Sequence, residues 1–472
     1  MNQSSDPPGW SDIATFWGIS FSSRDLRHPI LMEAPSPGSF RIGSLLLTPE
    51  GQSLLPEAPT VLRFPLPGRP ASVPGRPLAL WHDREGAATV LALDGESLRF
   101  GFDPARAGRD ILNEIHAPSY RPVAGRLPIH YHLVPAGLRG WIGRGLALLQ
   151  KPAAFPAPAD EPAADAIRRL VLAALRWAGG GGVLTPLPFW PDGKRAAVLL
   201  THDLDSAEGL GRIGEFRAIE RDHGFPAAWF VVSDHYPIPW KFLEAAVADG
   251  GEAGSHGHRH DGRTPFLPEP EIRRRLDACR RLLSPLHARV FRSDSKARSP
   301  ALWRILPDFF DIDSSVPDAD HEGGCATWFP FRRGTVSAPP DRRGGENPPL
   351  PLDTDDLGPR PAGAGSPRPY SRRVDGYPSI LEIPMTLPLD SSLLLAGRTP
   401  AGVLAAWRSK LARIRSACGV AVLTTHPEPH FSGSREMRRV YAAFLSELAA
   451  DKGLWVTTPS RLADHWSIVR GA

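Results

Sequence analysis

The chain has 472 residues, of which 42% are hydrophobic and 22% charged, proportions of a soluble globular protein long enough for two or three domains at roughly 150 residues each. A net charge of +4 is small for that length, and no basic run carries interleaved aromatics, so nucleic-acid binding has no footprint here. Cys279, Cys325 and Cys418 are far apart and outside any Cys-x-x-Cys, which argues against a disulfide framework or a thiolate zinc site.

The first residues, "MNQSSDPPGWSDIATFWGIS", lack a basic stretch followed by an apolar core, so no signal peptide is expected and a cytoplasmic location is the default. No uncharged apolar run reaches the roughly 18 residues of a membrane span. Residues 1–150 carry short strand-like runs, "SLLLTPE" and "ATVLALDG", between Pro- and Gly-rich turns, and "GLRGWIGRGLALLQK" reads as a short helix. They are expected to form a smaller N-terminal α+β domain with no assigned role. A linker, "KPAAFPAPADEPAAD", and a helix, "AADAIRRLVLAALRWA", closed by four glycines, occupy 151–186.

From 187 to 472 the pattern changes. Apolar runs "AAVLLTHD", "AAWFVVS", "ARVFRSD", "FFDIDSS", "ILEIPMT" and "GVAVLTTHP" read as buried strands. Between them "PEPEIRRRLDACRRLL" sets Ile272, Leu276, Cys279 and Leu283 on one helical stripe, and Ser299-Pro300 reads as a helix N-cap followed by proline. Strands alternating with helices argue for an α/β barrel or a doubly wound sheet. Residues 335–375 have almost no apolar periodicity and are expected to be a disordered insertion.

The stretch "EAGSHGHRHDG", residues 252–262, packs His256, His258 and His260 into five positions. A helical turn would put His256 and His260 on one face, whereas an extended strand would align all three, and the stretch alone does not choose. Polar residues also end the other runs: Asp203 and Asp205 in "THDLD", Arg292 after "ARVF", Asp313 after "FFDI", His426 after "VAVLTT". In a barrel of parallel strands such residues converge on one mouth, and this set is the inventory of a metallohydrolase.

At these residues the chain resembles the polysaccharide deacetylases of carbohydrate esterase family four, in the variants whose first motif is His-Asp-x-Asp. "THDLD" is similar to the first motif, "SHGHRH" to the second, "FRSD" to the third, "DIDSS" to the fourth and "LTTHPE" to the fifth. The resemblance spans about 187–466. It departs at Ser206-Ala207, at Gly257 between the paired histidines, and after Arg292, where "SDSKARSP" stands in place of Pro-x-Gly.

The resemblance implies a distorted (β/α) barrel of about seven repeats. It also implies one divalent metal ion, zinc by expectation, held by Asp205, His256 and His260, with His258 a bystander. Asp203 is then the catalytic base, although the two aspartates could exchange roles. Arg292 holds that base, His426 is the acid, and Asp313, or Asp311 in its place, accepts a bond from the acid's imidazole. His202 is read as a packed ring or a substrate contact. The expected partner is an acetylated carbohydrate, whose N-acetyl or O-acetyl group is hydrolysed. The sequence is also compatible with three other functions: hydrolysis of a non-sugar C–N amide, a catalytically silent glycan-binding relative, and an interaction protein working through its N-terminal region.

Overall fold

The computed structural model describes residues 44–46, 55–62, 69–83, 86–95, 97–114, 119, 121, 162–178, 189–317, 327–333, 373–374 and 377–470. The helix read within 137–151, most of the linker and nearly all of the insertion expected at 335–375 lie outside these residues.

The N-terminal unit is built on five strands, β1 (Ser44–Leu46), β2 (Thr60–Leu62), β3 (Arg76–Asp83), β4 (Gly86–Asp94) and β5 (Ser97–Phe100), in the order β1-β5-β4-β3-β2. Strands β3, β4 and β5 form an antiparallel meander. A helix follows at Pro104–Leu112. Its start is fixed by Asp103, whose carboxylate accepts from the amides of Ala105 and Arg106, and by proline in the first turn. The helix Ala163–Ala178 packs here too, burying Ile167, Val171 and Leu175 in one cluster with Val90, Phe100 and Ile111. Its apolar face is thus part of the N-terminal core.

The second sheet has nine strands. They are β6 (Ala196–Leu204), β7 (Ala228–Val231), β8 (Glu252–Ser255), β9 (Val290–Phe291), β10 (Ile312–Asp313), β11 (Phe331–Arg333), β14 (Ile380–Glu382), β15 (Val420–Thr425) and β16 (Leu454–Thr457), while β12 (Arg373–Val374) and β13 (Tyr377–Pro378) pair only with each other. The order is β11-β14-β10-β9-β8-β7-β6-β15, with β16 also on β6. Every pairing in it is parallel except that of β11 with β14. Strands β6 and β15 are buried along their whole length, which is why they read as unbroken apolar runs rather than alternating ones. Helices such as Ile213–Asp222, Trp240–Ala248, Glu269–Leu283 and Arg435–Ala450 lie between the strands in sequence. Helix Glu269–Leu283 buries the predicted stripe of Ile272, Leu276, Cys279 and Leu283, and Ser299 caps the helix Pro300–Ile305 as its sequence predicts.

The sheet curls back on itself at one side chain. Thr386 Oγ1 donates to the Val420 carbonyl (2.6 Å) and accepts from the Val422 amide (2.8 Å), and the Leu387 amide donates to the Val422 carbonyl (3.1 Å). The chain leaving β14 is thereby joined to β15, at the other end of the strand order, without a ladder. Seven regular repeats do not stand out: β11 runs antiparallel, and β7 and β16 share one edge of β6. No helix among the described residues is long and apolar enough to cross a membrane.

The two units meet through buried polar contacts. Asp165 accepts from Thr327 Oγ1 (2.6 Å) and from the Trp328 amide (2.7 Å), next to the start of β15, where the Val420 amide donates to the Trp328 carbonyl (2.8 Å).

Candidate active site

Each candidate residue sits at or just past the C-terminal end of a parallel strand. Asp203 is the penultimate residue of β6 and Asp205 follows its last, so the alternation of side chains turns both carboxylates to one side. His256 follows β8, Arg292 follows β9 and His426 follows β15. The ends of adjacent parallel strands are neighbours, which brings residues distant in sequence within a few ångströms.

The histidine stretch is neither helix nor strand. After β8 ends at Ser255, Gly257 takes φ 78°, His260 φ 52° and Gly262 φ 62°. A Cβ on Gly257 would stand 3.0 Å from Asp294 Oδ1, so both the left-handed backbone and the space call for glycine here. The turn aims His256 Nε2 and His260 Nε2 at Asp205 Oδ1, each at 3.1 Å. One ligand atom from each of these three residues lies within 4.8 Å of the others.

These residues fit a divalent cation. Asp205 Oδ1 is a buried oxygen with no hydrogen-bond partner, which is costly unless a cation shares it. His256 Nδ1 faces the Arg292 carbonyl at 3.3 Å; a carbonyl only accepts, so Nδ1 carries the hydrogen and the Nε2 lone pair faces Asp205. Two imidazoles and one carboxylate form the donor set of an open hydrolytic zinc site. Burial opposes ionisation of Asp205, but His260 and His426 outweigh it and hold the carboxyl well below its usual range. Burial likewise pulls His260 down, and Asp205 overrides it, lifting the imidazole to about 9. His258 stands apart, its Nδ1 bonded to Ser233 Oγ (2.9 Å), and burial lowers its pKa.

Asp203 is held differently. Its Oδ1 accepts from Arg292 Nη1 at 2.7 Å, and its Oδ2 lies 3.8 Å from His256 Nε2 and 4.0 Å from His426 Nε2. Burial raises its pKa, but Arg292 and the two histidines more than offset that and keep it ionised. Arg292, 1% exposed, is itself locked by Thr201 Oγ1, the Ser314 carbonyl and Ser314 Oγ, each at 3.0 Å, and by the Phe230 ring 4.1 Å away. His202 is a packed ring, stacked on Trp229 at 4.1 Å and bonded to Glu220 and Thr425 Oγ1.

His426 faces the same space, its Nε2 3.8 Å from Asp205 Oδ2. Burial lowers its pKa, but Asp390 and then Asp205 reverse the effect and lift it to about 10. The residue that holds its imidazole is Asp390, at 2.6 Å from Nδ1. This corrects the expectation for Asp313. In register, Asp313 stands opposite Glu382 of β14, and the two carboxyls face each other inside the sheet. Asp313 accepts from Ser315 Oγ, and burial raises its pKa and that of Glu382. Asp311 does not replace it, being paired with Arg289 Nε at 3.0 Å.

Two further acidic residues that no sequence pattern singled out, Asp390 and Glu428, stand at the site. Glu428 is 2% exposed, and its Oε1 accepts from the Asp205 amide (3.1 Å), the Ser206 amide (3.1 Å) and Ser206 Oγ (3.2 Å). Burial and the Asp205 charge push its pKa up to about 8. Gly209 leaves room for it, since a Cβ there would stand 2.6 Å from Oε1. Acidic residues in "LPLDSS" and "HPEPH" were the available signals, but neither ends an apolar run.

No protein-family model and no curated protein matches the sequence. Among solved structures, a putative polysaccharide deacetylase from Mycobacterium smegmatis aligns at 20% identity over 60% of this chain and 95% of that one, with a TM-score of 0.41. The Puue allantoinase aligns at 15% identity over 61% and 96%, with a TM-score of 0.43. A probable polysaccharide deacetylase from Pseudomonas aeruginosa PAO1 aligns at 16% identity over 61% and 96%, also at 0.43.

Proposed function

We propose that the protein is a metal-dependent hydrolase that removes acetyl groups, N-acetyl in preference to O-acetyl, from a polysaccharide, oligosaccharide or glycoconjugate. In this reading residues 187–472 are the catalytic unit and Asp205, His256 and His260 hold one zinc ion. The reading is carried by the division between two carboxylates: Asp205 faces two imidazole nitrogens at 3.1 Å, whereas Asp203 is tied to Arg292 at 2.7 Å and keeps its other oxygen toward the same space. In this reading Asp205 serves as a ligand and Asp203 as a base.

A bound divalent ion supplies Lewis acidity, acidifying a water and polarising the acetyl carbonyl. Asp203 accepts the proton of the water as its oxygen bonds to the acetyl carbon. Arg292 keeps Asp203 ionised and fixes which oxygen is free. His426, charged because Asp390 sits on Nδ1, donates its Nε2 proton to the leaving nitrogen as the C–N bond breaks. An amine leaves poorly without that proton, and for this reason a strongly basic imidazole favours the N-acetyl substrate. The products are acetate and a free amine.

Acetate release from a panel of acetylated chito- and xylo-oligosaccharides, with and without a chelator, tests the reading. Release that stops with chelator and returns with zinc supports it. No release above the background of free zinc would favour a silent glycan-binding protein.

A further inference from the structure

The loop between Arg292 and the helix Pro300–Ile305 holds an improbable backbone. Ser295 (φ 52°) and Lys296 (φ 57°) are consecutive non-glycine residues in the left-handed region. Such residues are strained, and a conformation of this kind persists only where its surroundings over-determine it. Within the loop the Lys296 amide donates to the Ser293 carbonyl and the Ala297 amide to the Asp294 carbonyl, both at 3.1 Å, and Arg298 Nη1 donates to the Lys296 carbonyl at 3.1 Å. The remaining donors of Arg298, which is 2% exposed, reach out of the catalytic unit altogether.

They reach Glu114, just beyond the helix Pro104–Leu112 of the N-terminal unit. Arg298 Nε lies 3.2 and 3.1 Å from the two carboxylate oxygens of Glu114 and Nη2 lies 2.8 Å from Oε1, a forked, charge-assisted grip. Glu114 is 0% exposed, and its Oε2 also accepts from Arg333 Nη2 at 3.4 Å. Removing this carboxylate would leave two buried guanidinium groups without it, one of the costlier defects a protein can carry.

At its other end the loop reaches the metal-ligand turn. Asp294, 1% exposed, accepts from the Gly262 amide through Oδ2, and its Oδ1 packs against Gly257. It therefore braces both ends of the turn that carries His260. A second contact runs in parallel: Arg121, also from the N-terminal region, lies over the Phe266 ring at 5.2 Å, and Ser299 Oγ donates to the neighbouring Pro265 carbonyl at 2.6 Å.

We propose that the N-terminal unit is a working part of the site, and that Glu114 is a positioning residue that fixes the 257–262 turn through Arg298 and the loop 293–298. The path is Glu114, Arg298, the Lys296 carbonyl, Asp294, and then Gly257 and Gly262. Glu114 touches neither substrate nor metal. It acts by making one loop conformation the only one that satisfies a buried arginine.

Hydrogen–deuterium exchange on the full-length chain tests this whether or not the site holds a metal. In Glu114→Ala and in Arg298→Ala, protection at 293–299 and 257–262 should fall about tenfold, with β6 and β7 unchanged. The double variant should fall no further than either single one, because both act along one path. Glu114→Gln keeps an acceptor oxygen and should recover part of the protection at 257–262; it also serves as the test variant if Glu114→Ala does not fold. Protection lost equally at 163–178 and 327–333 would mean that the whole N-terminal unit undocks rather than that one path is cut, and would overturn the proposal. Unchanged protection at 257–262 in a folded Glu114 variant, or additive losses in the double variant, would overturn the proposal.

Discussion

Asp390 grips His426 at two points: its Oδ1 lies 2.6 Å from the imidazole Nδ1, and its Oδ2 accepts from the His426 backbone amide at 2.8 Å. The ring is thereby fixed with Nε2 toward Asp203 and Asp205. Asp390 supplies the main charge that lifts the imidazole to about 10 against the pull of burial. In the proposed mechanism His426 acts in its protonated form, so the rate should fall as pH rises through that pKa. Asp390→Asn removes an anion that favours the charged ring and should move the alkaline limb of kcat/KM to lower pH by roughly one to three units. Asp313→Asn should leave that limb in place, which separates the two aspartates in one pair of pH profiles.

Arg292 governs the opposite limb. Burial alone would raise Asp203, and Arg292 is the first of the charges that bring it below its usual value. In the proposed mechanism Asp203 acts ionised, so the rate should rise as pH climbs through its pKa. Arg292→Ala should shift the acid limb to higher pH, with metal content retained because Arg292 is not among the proposed ligands.

Much of this site was legible because its residues directly follow uninterrupted apolar runs. "AAVLL" leads into the two aspartates and "VAVLTT" into His426, and a buried parallel strand exposes its chemistry only where it ends. The shape of the histidine stretch was not legible, because Gly257 and His260 take left-handed backbones that neither a helical nor an extended reading contains. Asp390 was hidden for another reason: an acid at the start of a leucine-rich helix looks like ordinary dipole compensation. Asp313 looked like a strand-end site residue, but its register partner Glu382, far away in sequence, captures it. The role of Glu114 depends on two arginines 184 and 219 residues away, which no local pattern reveals.

Glu428 should matter through Asp205. Glu428→Ala would leave the Asp205 and Ser206 amides without their common acceptor, freeing the backbone of the proposed ligand. Zinc affinity, measured by competition with a chromophoric chelator, should fall roughly 10- to 100-fold, as for other residues that orient a ligand. Glu428→Gln, which retains an acceptor oxygen, should lose less.

The curl of the second sheet has its own test. Thr386→Val keeps the side-chain shape but strips the Val420 carbonyl and the Val422 amide of their shared partner. Leaving buried backbone groups unpaired should cost about 2 kcal/mol in denaturant unfolding. An unchanged midpoint would mean that the join at Thr386 contributes nothing to holding the sheet together.

The most direct test of the whole account measures zinc content and acetate release on the same preparations of the wild-type, Asp203→Asn, and His256→Ala/His260→Ala proteins. The account predicts about one ion and turnover in the first. Asp203→Asn should keep the ion with turnover reduced roughly 10²- to 10⁴-fold, and the double histidine variant should lose both. Full activity in Asp203→Asn, or loss of its ion while Asp205→Asn keeps one, would contradict the division of roles between the two aspartates.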